Sequence, residues 1–234
     1  MKTDVKINRG IVLRLAKYLR VLQKLKSLGF VKVFSNNLGD AVGVTPAVVR
    51  KDFSQINIPG NKRGGYNVDT LIDHIINVLG KDERQDIIVV GYGNIGRALL
   101  HYRDFQHEGI NVAACFDIRP DLIDREAEIP VLPMDELKAF VDERDVQVAA
   151  LAVPDTAATE VFDTLIEAGI RGVLNFTSVE VKCAGKCDMH NCPIQCVVQN
   201  VNIGLEIENL FYLVNMKEAE ADCDDQELNG CADE

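Results

Sequence analysis

The stretch Asp86-Ile87-Ile88-Val89-Val90-Gly91-Tyr92-Gly93-Asn94-Ile95-Gly96-Arg97-Ala98 constrains this chain more than any other. An apolar, β-branched run enters three glycines spaced G-x-G-x-x-G, and helix-forming residues follow. In such a strand–turn–helix, Gly91 makes the tight turn, Gly93 lets the backbone approach a ligand, and Gly96 permits close helix–strand packing. The first turn of the helix offers amide N–H groups and the positive end of a dipole to a pyrophosphate. The motif alone is weak, so its context decides. Asp117 stands 21 residues past Gly96, at the end of a second apolar run, Val112–Phe116. A carboxylate there suits a ribose 2′-hydroxyl and favours NAD(H) over NADP(H). Arg119, two residues on, is a residue type that accepts a 2′-phosphate. The competing reading is a Gly-rich turn that binds CoA or nothing.

Apolar β-rich runs recur at Ile87–Val90, Val112–Phe116, Val146–Val153 and Gly172–Phe176, with helical segments between them. Alternation of this kind predicts an α/β fold with a doubly wound parallel (Rossmann) sheet, its strands buried on both faces. Ile118 beside Asp117, and Val153 at the end of the third run, complete the candidate cofactor-binding set of Gly91, Tyr92, Gly93, Asn94, Ile95, Gly96 and Asp117.

The N-terminal third has a different texture. Ile11, Leu15, Tyr18, Leu19, Leu22 and Leu25 recur at helical spacing over residues 8–28. A second helix is expected over Asn36–Val42, with Ser35 as its cap, then a turn at Gly43-Val44. Thr45-Pro46 opens a third helix, Thr being a favoured N-cap and Pro favoured at the first helical position. Three helices with a Gly-containing turn before the last outline a helix-turn-helix. Ile56–Ile58 and Tyr66–Val68 then read as two short strands around a turn tipped by Lys62 and Arg63, a basic wing, and Asp69–Leu79 as a further helix.

Charge supports that division. The chain carries a net charge of −11, which by itself argues against a polyanionic partner. Residues 1–80, however, hold 13 Lys and Arg against 5 Asp, a net of +8, while residues 81–234 hold 12 against 31 acidic residues, a net of −19. A basic head on an acidic body is expected where only the head meets DNA. Arg50 can read guanine bidentately and Lys51 can neutralise phosphate. Thr45, Pro46, Arg50, Lys51, Lys62, Arg63 and Tyr66 form the candidate DNA-binding set; Asp52 is expected to pair with a neighbouring cation or to cap.

The seven cysteines do not form a disulfide framework. Cys183, Cys187, Cys192 and Cys196 are spaced C-x3-C-x4-C-x3-C around His190. Four thiolates within reach suit tetrahedral Zn2+ or an Fe–S cluster; a thiol/disulfide switch and a structurally incidental cluster are the alternatives. No uncharged run is long enough to span a bilayer, and no signal-peptide core opens the chain, so a cytoplasmic location without membrane contact is expected.

Several of these motifs resemble, in order, the Rex family of redox-sensing repressors. They are Thr45 to Ser54, Gly60 to Val68, Gly91 to Gly96, Ile129 to Leu137 and Ala168 to Phe176. The resemblance implies a homodimer on a palindromic operator, released by NADH and permitted to bind by NAD+. It implies a C-terminal domain-swapped helix, matched by Leu205–Val214. It also implies a switch: Tyr102 matches an aromatic near the nicotinamide, and Arg20 an arginine that pairs with an acidic residue near the last strand. The matching position here is Asn202, which is uncharged, so that ion pair is replaced at most by a neutral hydrogen bond.

The expected organisation is a winged-helix domain over 1–80, a Rossmann domain over 84–204 with a Cys-rich insertion at 183–196, an exchanged helix at 205–217 and a disordered acidic tail at 218–234. The function implied is an NAD(H)-responsive repressor. The alternatives are a repressor sensing metal or oxidant through the cysteines, a CoA- or other ligand-responsive regulator, and an NAD-dependent oxidoreductase. Against the last, no substrate domain or His–acid pair is visible.

Overall fold

The computed structural model describes residues 8–59, 64–81, 85–182 and 196–229, and divides into two compact units, Met1–Gln85 and Asp86–Glu234.

In the first unit, α1 (Arg9–Ser27) is capped by the Asn8 side chain, which accepts the Ile11 N–H at 3.0 Å. β1 (Lys32–Val33) leads into α2 (Ser35–Val42), which ends at Gly43 in the left-handed conformation. α3 (Pro46–Gln55) starts as its sequence dictates, with the Thr45 hydroxyl oxygen accepting the Val48 N–H. β2 (Tyr66–Asn67) and α4 (Val68–Leu79) complete the unit. Leu15, Tyr18, Leu22, Leu38, Val49, Phe53 and Ile75 fill its core. Phe53 stacks edge-on to Tyr18 on one side and Tyr66 on the other.

Two expectations fail here. Ser35 lies inside α2, and the residue at its N-cap is Phe34. The wing is not a hairpin of Ile56–Ile58 with Tyr66–Val68: β2 pairs antiparallel with β1, Lys32 facing Asn67 and Val33 facing Tyr66. Ile56 instead caps α3 and is buried. The apolar character of 56–58 serves the core rather than a strand.

The second unit is a six-stranded sheet. Its strands are β3 (Gln85–Val90), β4 (Ile110–Asp117), β5 (Val131–Pro133), β6 (Val148–Leu151), β7 (Gly172–Asn175) and β8 (Val197–Asn200). They lie in the order β5-β4-β3-β6-β7-β8. The β3–β6, β4–β5, β6–β7 and β7–β8 pairs are all parallel. The order reverses at β3, so a crevice opens between the ends of β3 and β6, where doubly wound sheets bind ligands. Residues alternate between the two faces. Ile88 and Val90 pack with α7 (Leu137–Arg144) and α8 (Ala158–Glu167), while Val89 faces Leu100 of α5 (Asn94–Leu100). The one-turn α6 (Asp104–His107) follows α5. The crossover from β4 to β5 holds only the single 3-10 turn Pro120–Leu122 among its elements.

α9 (Ile203–Asn229) closes the chain. It corrects two boundaries: the helix begins at Ile203 rather than 205, and residues 218–229, expected to be disordered, continue it. Glu218-Ala219-Glu220-Ala221 are strong helix formers, and propensity outweighs the shortage of apolar residues. Ile203, Leu205, Ile207, Leu210, Phe211, Tyr212 and Leu213 are all exposed on it.

Candidate functional site

The head presents one polar helix face. Arg50 and Lys51 are exposed on α3, as is Thr45 at its start, with Pro46 half-buried. An Arg50 guanidinium nitrogen donates to the Ser35 hydroxyl at 3.2 Å, tying the arginine to the start of α2. Asp52, on the opposite face, accepts two hydrogen bonds from Arg14 at 2.7 Å each and one from the Tyr18 hydroxyl at 3.0 Å. The carboxylate pairs with a neighbouring cation, as the sequence suggests. Its hydrogen bonds raise Arg14, and burial, reinforced by Asp52, raises the Tyr18 hydroxyl. His74 of α4 places Nε2 2.6 Å from the Ile56 carbonyl, holding the other end of α3. Tyr66 does not join the DNA-facing set. It is 8% exposed and its ring packs 5.1 Å from Phe53, so it is a core residue. Lys62 and Arg63 lie outside the described residues.

In the second unit the Gly-rich turn has the stereochemistry its spacing demands. Gly91 has φ +101°, and a Cβ on it would lie 2.3 Å from the Ala152 carbonyl oxygen. A Cβ on Gly96 would lie 1.9 Å from the Gly91 carbonyl oxygen, so only glycine lets α5 pack this close to the turn. A Cβ on Gly93 would point into open space. The first intrahelical bond of α5 runs from the Arg97 N–H to the Gly93 carbonyl, which leaves the first-turn amides aimed out of the helix end.

Gly91, Gly93, Asp117, Ile118, Arg119 and Val153 line one cavity of about 380 Å³, together with Met134, Pro154 and Val161. Asn94 and Ile95 are exposed at the start of α5. Asp117, 7% exposed, accepts the Tyr92 N–H at 2.7 Å and the Arg119 N–H at 2.9 Å. Arg119 Nε and a terminal guanidinium nitrogen add contacts at 3.2 and 3.3 Å. Burial alone would raise the Asp117 carboxyl; the Arg119 side chain and the two amides outweigh it and hold the group below its ordinary value. Tyr92 and Tyr102 line a second cavity of about 560 Å³ with Leu100, Arg103, Phe105 and Ile129. The sequence-derived cofactor set is therefore divided: Tyr102, half-exposed and edge-on to Phe105 at 5.0 Å, lines the second cavity, while Tyr92 bridges the two, lining the second and bonding Asp117 of the first through its N–H. Met134 was not anticipated, because it follows the three-residue β5, a strand too short for periodicity to reveal.

Arg20 is exposed on α1, and the Asn202 side chain accepts the Leu205 N–H at 3.1 Å, capping α9. Cys183, Cys187 and Cys192 lie outside the described residues. Cys196 packs half-buried against the sheet core, next to β8. Among the described residues no group of three or more His, Cys, Asp or Glu could hold a metal, and no helix is long and apolar enough to cross a membrane.

Comparison with known proteins agrees with both units. A family model described as "Putative DNA-binding protein N-terminus" matches residues 6–54, and one described as "CoA binding domain" matches residues 82–179. The redox-sensing transcriptional repressor Rex of Staphylococcus epidermidis is 33% identical over 215 residues, covering 92% of this chain and 98% of that protein. The crystal structure of RSP, a Rex-family repressor, in complex with β-NAD+ and operator DNA aligns with a TM-score of 0.80 at 26% identity, over 97% of this chain and 98% of that one. RSP in complex with β-NADH aligns with a TM-score of 0.76 at 26% identity, over 93% and 99%. Identity at this level, sustained along nearly the whole of both chains and through both units, means that the chain belongs to the Rex family of redox-sensing transcriptional repressors.

Proposed function

We infer that this Rex-family protein is an NAD(H)-responsive transcriptional repressor that holds a palindromic operator when the NADH/NAD+ ratio is low and releases it when NADH accumulates. One observation carries the reading: a single chain joins an exposed Arg50–Lys51 helix face in a winged-helix head to a Gly91–Gly96 turn whose cavity is also lined by Asp117 and Val153. Arg50 reads base edges and Lys51, with Lys62 and Arg63, neutralises phosphates; Thr45 and Pro46 set the helix against the backbone. Gly91, Gly93, Asn94, Ile95 and Gly96 take the pyrophosphate, Asp117 and Ile118 the adenosine half, and Val153 the nicotinamide side, with Tyr92 and Tyr102 flanking.

Oxidised and reduced nicotinamide differ by one charge and in ring planarity, so the ring must sit where that difference biases two arrangements. By the family resemblance Arg20, Tyr102 and Asn202 belong to that switch. The apolar residues exposed along α9 support a homodimer formed through it, and the basic head, suited to DNA, supports work in the cytoplasm. Operator binding measured by fluorescence anisotropy at fixed total nucleotide and varied NADH/NAD+ tests the reading. DNA affinity indifferent to that ratio overturns it, whereas turnover of an NAD-linked substrate would favour an oxidoreductase.

The spacing of Cys183, Cys187, Cys192 and Cys196 supports a second input, Zn2+ or an Fe–S cluster, on the same domain. Metal analysis and the absorption spectrum of anaerobically purified protein test it; a colourless, metal-free protein with four titrating thiols excludes the metal.

A further inference from the structure

We propose that Ser35 is a positioning residue for operator recognition: its hydroxyl holds the Arg50 guanidinium in the pose that reads guanine, so sequence preference depends on it more than affinity for duplex DNA does. This rests on the DNA-binding reading of α3 proposed above.

The sequence reads Ser35 as the cap of α2, but the hydroxyl has a different use. The N-cap residue is Phe34, which makes no side-chain cap, and Ser35 is the first residue of the helix. Its oxygen reaches across to α3 and accepts from Arg50 Nη1 at 3.2 Å. The elements that carry the pair are held close. A Cβ on Gly39, buried in α2, would lie 2.5 Å from the Val44 carbonyl oxygen, so α2 presses on the chain that enters α3. Asp52, held by Arg14 and Tyr18, fixes the rotation of α3. Ser35 is short and half-buried, so the bond restrains one long side chain rather than two.

A guanidinium presents five N–H donors in a fixed fork. One of them goes to Ser35, which leaves the Nε–Nη2 edge to meet guanine O6 and N7 together. An unrestrained arginine loses rotamer freedom when it docks on a base. One already held loses less, and the saving appears only where the base accepts that pose. A phosphate contact tolerates many poses, because charge carries it. Docking on the duplex also excludes water from the Ser35–Arg50 pair, which strengthens a hydrogen bond that solvent weakens in the free protein. The hydroxyl therefore acts on specificity and not on the salt-dependent part of binding.

The test is fluorescence anisotropy of the full-length protein, with NAD+ present, on three duplexes. They are the palindrome that the parent selects from a random pool, that palindrome changed at the guanine where Arg50→Ala loses preference, and an unrelated duplex of equal length. Ser35→Ala is expected to cut discrimination between the first two by about two- to tenfold, with the unrelated duplex, the salt slope and the melting temperature unchanged. Ser35→Thr keeps a hydroxyl and should keep the discrimination. In an Arg50→Ala background Ser35→Ala should add nothing, because it acts through the arginine. Full discrimination by Ser35→Ala overturns the proposal. So does an equal loss in both backgrounds, which makes Ser35 a DNA contact in its own right. If Arg50→Ala leaves preference intact at every position, the reading of α3 fails as well; an impaired Arg50→Ala beside an unimpaired Ser35→Ala overturns the positioning role alone.

Discussion

Asp52 of α3 and Arg14 of α1 share two parallel hydrogen bonds of 2.7 Å, with the carboxylate almost wholly buried. The pair sets which face of α3 turns inward and hence which face carries Arg50 and Lys51. Removing one partner strands the other charge: a buried pair broken in this way costs about 3–5 kcal/mol, and the part-exposed Arg14 puts Asp52→Ala near the lower end. Urea unfolding should show a loss of about 3 kcal/mol for Asp52→Ala. An Arg14→Met/Tyr18→Phe/Asp52→Leu triple variant should recover most of it, because neither a buried charge nor the Tyr18 hydroxyl, which donates to Asp52, is then orphaned.

Arg50 and Lys51 are neighbours in sequence but are expected to fail differently. Arg50→Ala should cost about 1–3 kcal/mol on the operator and relax preference at one guanine. Lys51→Ala should weaken specific and nonspecific duplexes alike and lower the salt slope by about 1. Anisotropy titrations across a salt series, on matched and single-substituted operators, separate the two.

Gly96→Ala tests the turn. Its Cβ would meet the Gly91 carbonyl oxygen at 1.9 Å, and backbone cannot yield as a flexible side chain does. α5 must move off β3, so NADH binding is expected to fall below detection while the winged head still binds DNA. Retained NADH binding by this variant would remove the helix–strand packing argument.

How much of this was legible in the sequence depended on how local its cause was. The Thr45 cap, the Gly-rich turn and the Asp117 strand end depend on residues close by, and each appears where its pattern places it. The wing failed because β2 finds its partner in β1, across two helices, and no local pattern reports that pairing. Tyr66 stands in sequence beside the basic turn, but its ring packs edge-on against Phe53 in the core, a contact between distant residues that no local pattern reports. Arg119 was visible as a residue type, but only the geometry reveals that it occupies Asp117.

Asn202 stands where the family resemblance implies a carboxylate, and the structure gives it work of its own. Its side chain accepts the Leu205 N–H. Asn202→Ala removes that cap and should cost about 1 kcal/mol of α9 stability, whereas Asn202→Asp keeps it, Asn and Asp being comparable caps. Thermal unfolding at several protein concentrations should separate Ala from the other two. If Asn202→Ala is as stable as the parent, capping is not its role.

Cys115 lies on β4 two residues before Asp117, fully buried. Burial, with the nearby Asp117 carboxylate adding to it, pushes its thiol up to about 12. The thiolate is the nucleophile, so at pH 8 native Cys115 should resist iodoacetamide and react only in urea, as mass spectrometry of the alkylated peptides would show. The same shift fixes a sign for stability. A folded value above the unfolded one, about 8.5, makes this contribution complete below that pH and steadily lost as pH rises toward 12. The parent should therefore lose stability by up to about 1.4 kcal/mol per pH unit from this group above pH 9, and Cys115→Ala should show a shallower alkaline limb. Equal slopes for the two proteins would mean that the buried thiol does not govern that limb.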